Sequence, residues 1–239
     1  MTMTKMLTKT KTKSLTKTKT MAVTPFPAGN WAIEPQVYIE LPNLFENDGW
    51  RSVQLPELPG PDETERELQV LLKMQNDYEK RERRRPDIID EKDNTSSQFM
   101  RVVMFGPSSH PNTTVLFEAM VMVGAIVVMH YKNNFGRPRP SQLEPALRPM
   151  LDVPGHPAYP SGHATQSYLV AQALTTVIRN HEIGRELYGI AEQVAVNREW
   201  AGLHYRSDSE AGKQLARELF PYIEDAYEAT FAAAAREWI

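Results

Sequence analysis

The residues equipped for chemistry fall in three short strings of the C-terminal half: KNNFGRPRP at 132–140, PSGH at 160–163 and REWAGLHYRSD at 198–208. As spacings they read K-x6-R-P, P-S-G-H and R-x5-H-x3-D. Lys132, Arg139 and Arg198 supply three cations. A phosphoryl group in transfer spreads negative charge over its equatorial oxygens, so catalysis there consists of positioning and charge stabilisation. Arginine offers such oxygens a planar fork, and lysine a point charge. Ser161 and Gly162 stand where a helix would begin, with free N–H groups facing an anion. Gly162 also lets the backbone come close. His204 is the candidate nucleophile. Asp208, four residues on, can bind one ring nitrogen and leave the other unprotonated. His163 is the candidate general acid, and the base for the water that follows.

Each string alone has an ordinary structural reading. A lysine closing an apolar helix is usually a solvated cap, and a lone arginine or aspartate usually a surface ion pair worth little. The three strings in one order, with these spacings, favour chemistry.

Such groups need a scaffold that brings positions 132, 163 and 204 together, and the sequence predicts helices for it. Pro61 and Asp62 open a helix to about 84, with Leu68, Leu71, Leu72 and Met74 on its apolar face. Residues 86–104 read as helical. Asn112 caps a long apolar helix to about 132, which the Arg-Pro-Arg-Pro run at 137–140 cannot continue. A proline-rich loop leads to Pro160. Leu143, Leu147, Met150 and Leu151 in that loop suggest an apolar entrance. Helices resume at Ser161, from about 186 to 202, and from Ser207 to the C-terminus, where Ser207 and Glu210 have capping-box spacing. His181 is placed near a helix C-terminus. His110 and His130 read as structural, and Trp200 as core packing. The fold class is all-α, a single helical bundle over residues 22–239, with 22–61 as an extended Pro-rich wrapping segment.

Composition narrows the chemistry. There is no cysteine, which excludes disulfides, zinc–thiolate sites and thiol nucleophiles. No metal-ligand pattern is visible. The first 20 residues carry six lysines and no acid, and 1–21 read as a disordered Lys/Thr-rich tail; Met21 is an alternative start. Residues 21–239 hold 21 basic against 30 acidic side chains, a net −9, with no broad nucleic-acid footprint. The tail lacks the apolar core of a signal peptide, so the expected location is cytoplasmic. The best apolar run, AMVMVGAIVVM at 119–129, is short for a bilayer and suits a buried helix. No transmembrane span is expected, and no oligomeric state is marked.

The three strings resemble the superfamily shared by type 2 phosphatidic acid phosphatases, bacterial class A acid phosphatases and vanadium haloperoxidases. The resemblance covers about 118–213. It implies an all-helical fold and a metal-free phosphate pocket that also accepts vanadate. Family spacing favours Arg139 over Arg137 as the first-motif arginine, leaving Arg137 behind it or at the substrate's approach. Asn197 stands where the family often has serine. The resemblance implies a phosphomonoesterase working through a phosphohistidine on His204, with a small-molecule phosphate ester, polar or apolar-tailed, as substrate and no cofactor. The alternative is a vanadate-dependent haloperoxidase using the same pocket. HPAYPSGHAT and His156, which bromoperoxidases resemble, lean toward it, with His156 near the halide; the short chain and Met129 lean away. A non-catalytic oxyanion-binding module is the third reading, disfavoured because both histidines are present.

Overall fold

The computed structural model describes residues 26, 31–93 and 95–239. The expectations for the tail at 1–21 lie outside them. Two compact units divide after Trp31. In the first, the rings of Phe26 and Trp31 meet edge-on at 6.2 Å. The second, Ala32–Ile239, carries all three strings.

The fold is all-α, with no strand among the described residues. The helices are α1 (Ile33–Val37), α2 (Leu41–Glu46), α3 (Pro61–Asn76), α4 (Tyr78–Asp90), α5 (Ser96–Met100), α6 (Pro111–Phe135), α7 (Pro140–Leu143), α8 (Gly162–Ile178), α9 (His181–Trp200), α10 (Arg206–Ala226) and α11 (Glu228–Ala235). Helix α8 is the axle, packed against α6, α9, α10 and α11. Leu169, Ala171 and Leu174 on α8 are sealed, together with Leu116, Met120 and Val123 of α6 and Leu215 and Leu219 of α10. That apolar burial drives the bundle together.

Glycine lets the site's two helices touch. A Cβ on Gly212 of α10 would lie 2.7 Å from the Ser161 carbonyl and 2.9 Å from Ala164 Cβ. With only hydrogen there, Ser161 N donates to the Asp208 carbonyl at 2.9 Å. The second and third strings are thus joined through backbone.

Several expected boundaries move. Residues 22–61 are not simply extended: α1, α2 and a 3-10 turn at Asp48–Ser52 occupy part of the segment. It is pinned by Trp50, whose indole donates to the Leu44 carbonyl and whose own carbonyl accepts from the Tyr131 hydroxyl. The helix from 61 breaks at Asp77, whose carboxylate accepts from Lys80 N and starts α4. Asn112 is not a cap, because His110 holds that position. The Asn112 and Thr113 amides donate instead to the Glu237 carboxylate at 2.9 and 2.8 Å. A distant acid thus does the work expected of a local amide. His181 begins α9 rather than ending a helix, because Asn180 accepts from the Glu182 and Ile183 amides. The last long helix starts at Arg206 and stops at Ala226. Ser207 is not its cap; its amide goes to Glu67 at 2.7 Å.

The stretch Pro111–Leu143 has mean hydropathy 1.8 over its most apolar window, enough by length and composition for a bilayer helix, yet 61% of that window is buried in the protein. It serves as the core helix against α8.

Candidate active site

The first string leaves α6 at its C-terminal end. Gly136 closes the helix at φ 61°, a left-handed conformation that favours glycine. Lys132 lies one turn before it, buried, with Nζ donating to the Pro157 and Ala158 carbonyls at 2.7 and 2.9 Å. The chain after Gly136 turns Arg137 and Arg139 inward, both buried. They do different things. Arg139 Nη1 donates to the Leu203 carbonyl at 2.9 Å and to His204 Nε2 at 3.0 Å. Its Nε and Nη2 donate to the His156 carbonyl and to His156 Nδ1. Arg137 instead lies between two carboxylates, 2.6 Å from Asp208 and 2.8 Å from Glu67, with its guanidinium 3.7 Å over the Tyr205 ring. It stands behind the histidine–aspartate pair.

The second string opens α8. Ser161 is the N-cap, its hydroxyl accepting from Ala164 N at 3.4 Å. The Gly162 and His163 amides come before Thr165 N, which makes the helix's first internal bond. A Cβ on Gly162 would meet only Val128 Cγ1, at 3.7 Å, so nothing in the protein itself demands glycine there. His163 Nε2 lies 3.2 Å from the Glu91 carbonyl. A carbonyl only accepts, so Nε2 carries the hydrogen and Nδ1 the free lone pair.

The third string runs from the end of α9 into α10. His204 Nδ1 lies 3.0 Å from Asp208 Oδ2. Arginine only donates, so the Arg139 contact assigns a lone pair to Nε2 and the ring hydrogen to Nδ1. Asp208 also accepts from Tyr205 N, which fixes its rotamer at the start of α10. Arg198 donates from Nη2 to the Ile88 carbonyl and to Glu91 Oε2, at 2.9 and 2.8 Å. Its Nε and Nη1 are buried with no hydrogen-bond partner among the described residues. Buried donors on a charged group left unpaired are costly, and a multi-oxygen anion is the acceptor that fits them.

Electrostatics agree with that shape. His204 is held well below the ordinary histidine value by burial first and by Arg139 and Lys132 next. His163 is pushed down to about 3 by burial and then by Arg198. Burial, then Arg139, brings Lys132 down to about 7, and burial brings Arg139 to about 10. Asp208 is raised by burial, against the pull of Arg137. Cations crowded against two neutral imidazoles make a site that favours an incoming anion. Among the described residues, no group of three or more His, Asp or Glu side chains is arranged to hold a metal.

Two residues that sequence reasoning missed complete the site. Glu91, just after α4, is buried; its carboxylate holds Arg198 and Asn197 while its carbonyl meets His163. Glu67 of α3 holds Arg137, Ser207 N and Ser207 Oγ. Neither has a local motif, and only their burial marks them. Asn197 accepts from Arg84 Nη1 at 2.8 Å and donates to Glu91, so it braces Arg198 from behind. Trp200 is half-buried against Ile88, Ala201 and Leu203 with Met150 and Leu151, and carries Arg84 over its face. The expected apolar loop group divides: Met150 and Leu151 join that cluster, Leu147 packs with Leu68 and Tyr205, and Leu143 is exposed.

Comparison with known proteins adds the following. The sequence profile of the PAP2 superfamily matches residues 112–217. No curated protein matches the chain. Among solved structures, the chain is similar to a bacterial vanadium-dependent iodoperoxidase, with TM-score 0.55 and 16% identity, over 74% of this chain and 52% of that one. It therefore spans about half the length of that enzyme, and the likeness is one of fold. A transmembrane PAP2-type phosphatidylglycerolphosphate phosphatase from Bacillus subtilis also matches, with TM-score 0.38 and 15% identity, over 82% of this chain and 86% of that one.

Proposed function

We propose that this chain, whose residues 112–217 match the PAP2 superfamily, is a metal-independent phosphomonoesterase acting on a small-molecule phosphate ester. The observation that carries this reading is the pairing of an oriented imidazole with bare cationic donors. His204 Nε2 keeps a lone pair while Nδ1–H goes to Asp208, and Arg198 Nε and Nη1 have no partner among the described residues. Lys132, Arg139, Arg198, the Ser161 hydroxyl and the Gly162 amide take the phosphoryl oxygens. As the ester arrives, the Arg139 N–H turns from Nε2 to a phosphoryl oxygen, and Nε2 attacks phosphorus. The P–N bond forms as the P–O bond to the leaving group breaks. His163, protonated under the influence of the bound anion, gives its proton to the departing oxygen. It then takes a proton from water, which attacks phosphorus, breaks the P–N bond and frees inorganic phosphate and His204.

The apolar cluster of Met150, Leu151 and Trp200 adjoins Ile88 and Leu203, whose carbonyls hold Arg198 and Arg139. It offers a surface for an ester with apolar as well as polar parts.

One observation favours the second reading, a vanadate-dependent haloperoxidase. His156 Nδ1 lies 3.1 Å from Arg139 Nη2, which puts a further imidazole on the cation that faces the nucleophile. The same residues would hold vanadate: Lys132, Arg139, Arg198, Ser161 and Gly162 on its oxygens and His204 as its protein ligand. Bound vanadate would supply activation of peroxide for halide oxidation. Here His156 would lie near the halide, and His163 would manage protons.

One divided sample tests both. Half, free of vanadate and treated with chelator, receives an aryl phosphate across acidic to neutral pH. The other half receives vanadate, peroxide, bromide or iodide, and a phenolic acceptor. Hydrolysis that survives chelation and is blocked by vanadate, with no halogenation, is the expected result. Vanadate-dependent halogenation would replace the first reading by the second, and silence in both would leave an oxyanion-binding module.

A further inference from the structure

A cavity of about 1080 Å³ lies apart from the oxyanion site. None of Lys132, Arg139, His163, Arg198 and His204 lines it. It opens between α3, α8, α9 and α10, and its size suits an organic ligand. Its floor carries Glu67 and Ser207, the outer end of the chain of contacts that runs through Arg137 to Asp208 and His204.

Two features define what would fit. One wall is aromatic: Tyr159, Tyr168 and Tyr188 line it, with the last two rings 6.2 Å apart. The Tyr168 face already holds a cation, the Lys213 ammonium 5.2 Å from its centroid. Tyrosine faces attract cations by their quadrupole. The other feature is charge. Carboxylates lining the cavity outnumber cations five to four once Glu67, which Arg137 neutralises from outside the cavity, is set aside. Arg206 is shared by Glu192 at 2.9 Å, Glu199 at 3.5 Å and Glu210, so one guanidinium serves three acids. Glu199 is only 5% exposed and is raised by burial to about 7, so at neutral pH it carries part of a charge.

We propose that this cavity is an accessory binding site for an organic monocation with an aromatic or alkyl body, the body lying on the tyrosine wall and the charge among the carboxylates around Arg206. This goes beyond the hydrolytic reading and does not depend on it. An anion of the same shape would meet the excess carboxylates, and a neutral one would lose the attraction to them.

Calorimetric titration of the full chain with benzyltrimethylammonium tests it, with phenylmethanesulfonate and benzyl alcohol as matched controls. Saturable binding of the cation is expected, about tenfold tighter than either control, as ring–cation and carboxylate contacts of this kind predict. Tyr188→Ala and Glu210→Gln, both on the rim, should each weaken it about threefold or more while leaving basal turnover and melting temperature in place. No saturable binding, equal binding of the sulfonate, or unchanged binding in either folded variant would overturn the proposal.

Discussion

Arg139 Nη1 lies 3.0 Å from His204 Nε2, so the imidazole nitrogen that faces away from Asp208 is held by a buried guanidinium. The contact keeps Nε2 unprotonated, because a guanidinium donates and does not accept. Asp208 secures the same tautomer from the other side of the ring. Arg137 then sits between Asp208 and Glu67, so the aspartate that orients the imidazole is itself oriented. A buried carboxylate shared by an arginine and a histidine divides its pull between them.

His204→Ala should remove turnover by at least about a thousandfold, since the covalent step has no substitute nucleophile nearby. Circular dichroism and melting should change little, because the imidazole is one residue in a bundle whose core is elsewhere. Stopped-quench detection of an acid-labile phosphoprotein in the parent and not in the variant would establish the intermediate. Substantial residual hydrolysis with wild-type kinetics would remove His204 from the role.

Glu91 should matter as much as any residue in the three strings, although it lies outside them. Glu91→Ala leaves the Arg198 guanidinium buried without its carboxylate, which costs on the order of 3–5 kcal/mol. Glu91→Gln keeps the shape and is the sharper test. It should fold, and its affinity for inorganic phosphate should fall about tenfold, the 1.4 kcal/mol expected when a charge-assisted bond becomes neutral. Phosphate inhibition constants for both proteins check this. An unchanged constant would show that Arg198 holds its place without Glu91.

The contrast between His204 and Glu91 marks how far sequence reading went. His204 and Asp208 are four residues apart at the start of one helix, and Ser161 caps the helix that carries Gly162 and His163, so their meeting is written in local spacing. Glu91 and Glu67 reach Arg198 and Ser207 across 107 and 140 positions, and nothing in the linear order announces a contact of that span. The same physics moved the start of α6. Asn112 has the right chemistry for a cap, yet Glu237 satisfies those amides from 125 residues away. The all-helical class was legible because apolar periodicity is local. The break at Asp77 was legible in principle, since an Asn-Asp pair interrupts the helix and aspartate favours an N-cap.

Acid should destabilise the fold through its histidines. His163 is about 3 in the folded protein against about 6.5 unfolded, because burial and Arg198 disfavour its charged form. Between those values the unfolded chain binds the extra proton. The stabilisation is therefore full above pH about 6.5 and is lost as pH falls toward 3, by up to about 1.4 kcal/mol per pH unit. Melting temperature should drop on acidification from pH 7 to 4. His163→Asn should flatten that slope; an identical slope in the variant would show that other groups govern it.

Anion binding should draw in protons. Lys132 lies at about 7 in the absence of an anion, through burial and then repulsion from Arg139. At neutral pH it is only partly charged. His163 and His204 are neutral under the same influences. A phosphate dianion placed among Lys132, Arg139 and Arg198 reverses the sign of the local potential and raises all three groups. Lys132 completes its charging, and His163 becomes the acid that the leaving oxygen requires. Up to about two protons, one on Lys132 and one on His163, should be taken up per phosphate at pH 7.5. Titration calorimetry in buffers of different ionisation enthalpy measures that number directly. Lys132→Met should reduce it while still leaving weak binding to the arginines. Binding with no buffer dependence would mean that the pocket is fully charged before phosphate arrives, and that His163 acquires its proton by another route.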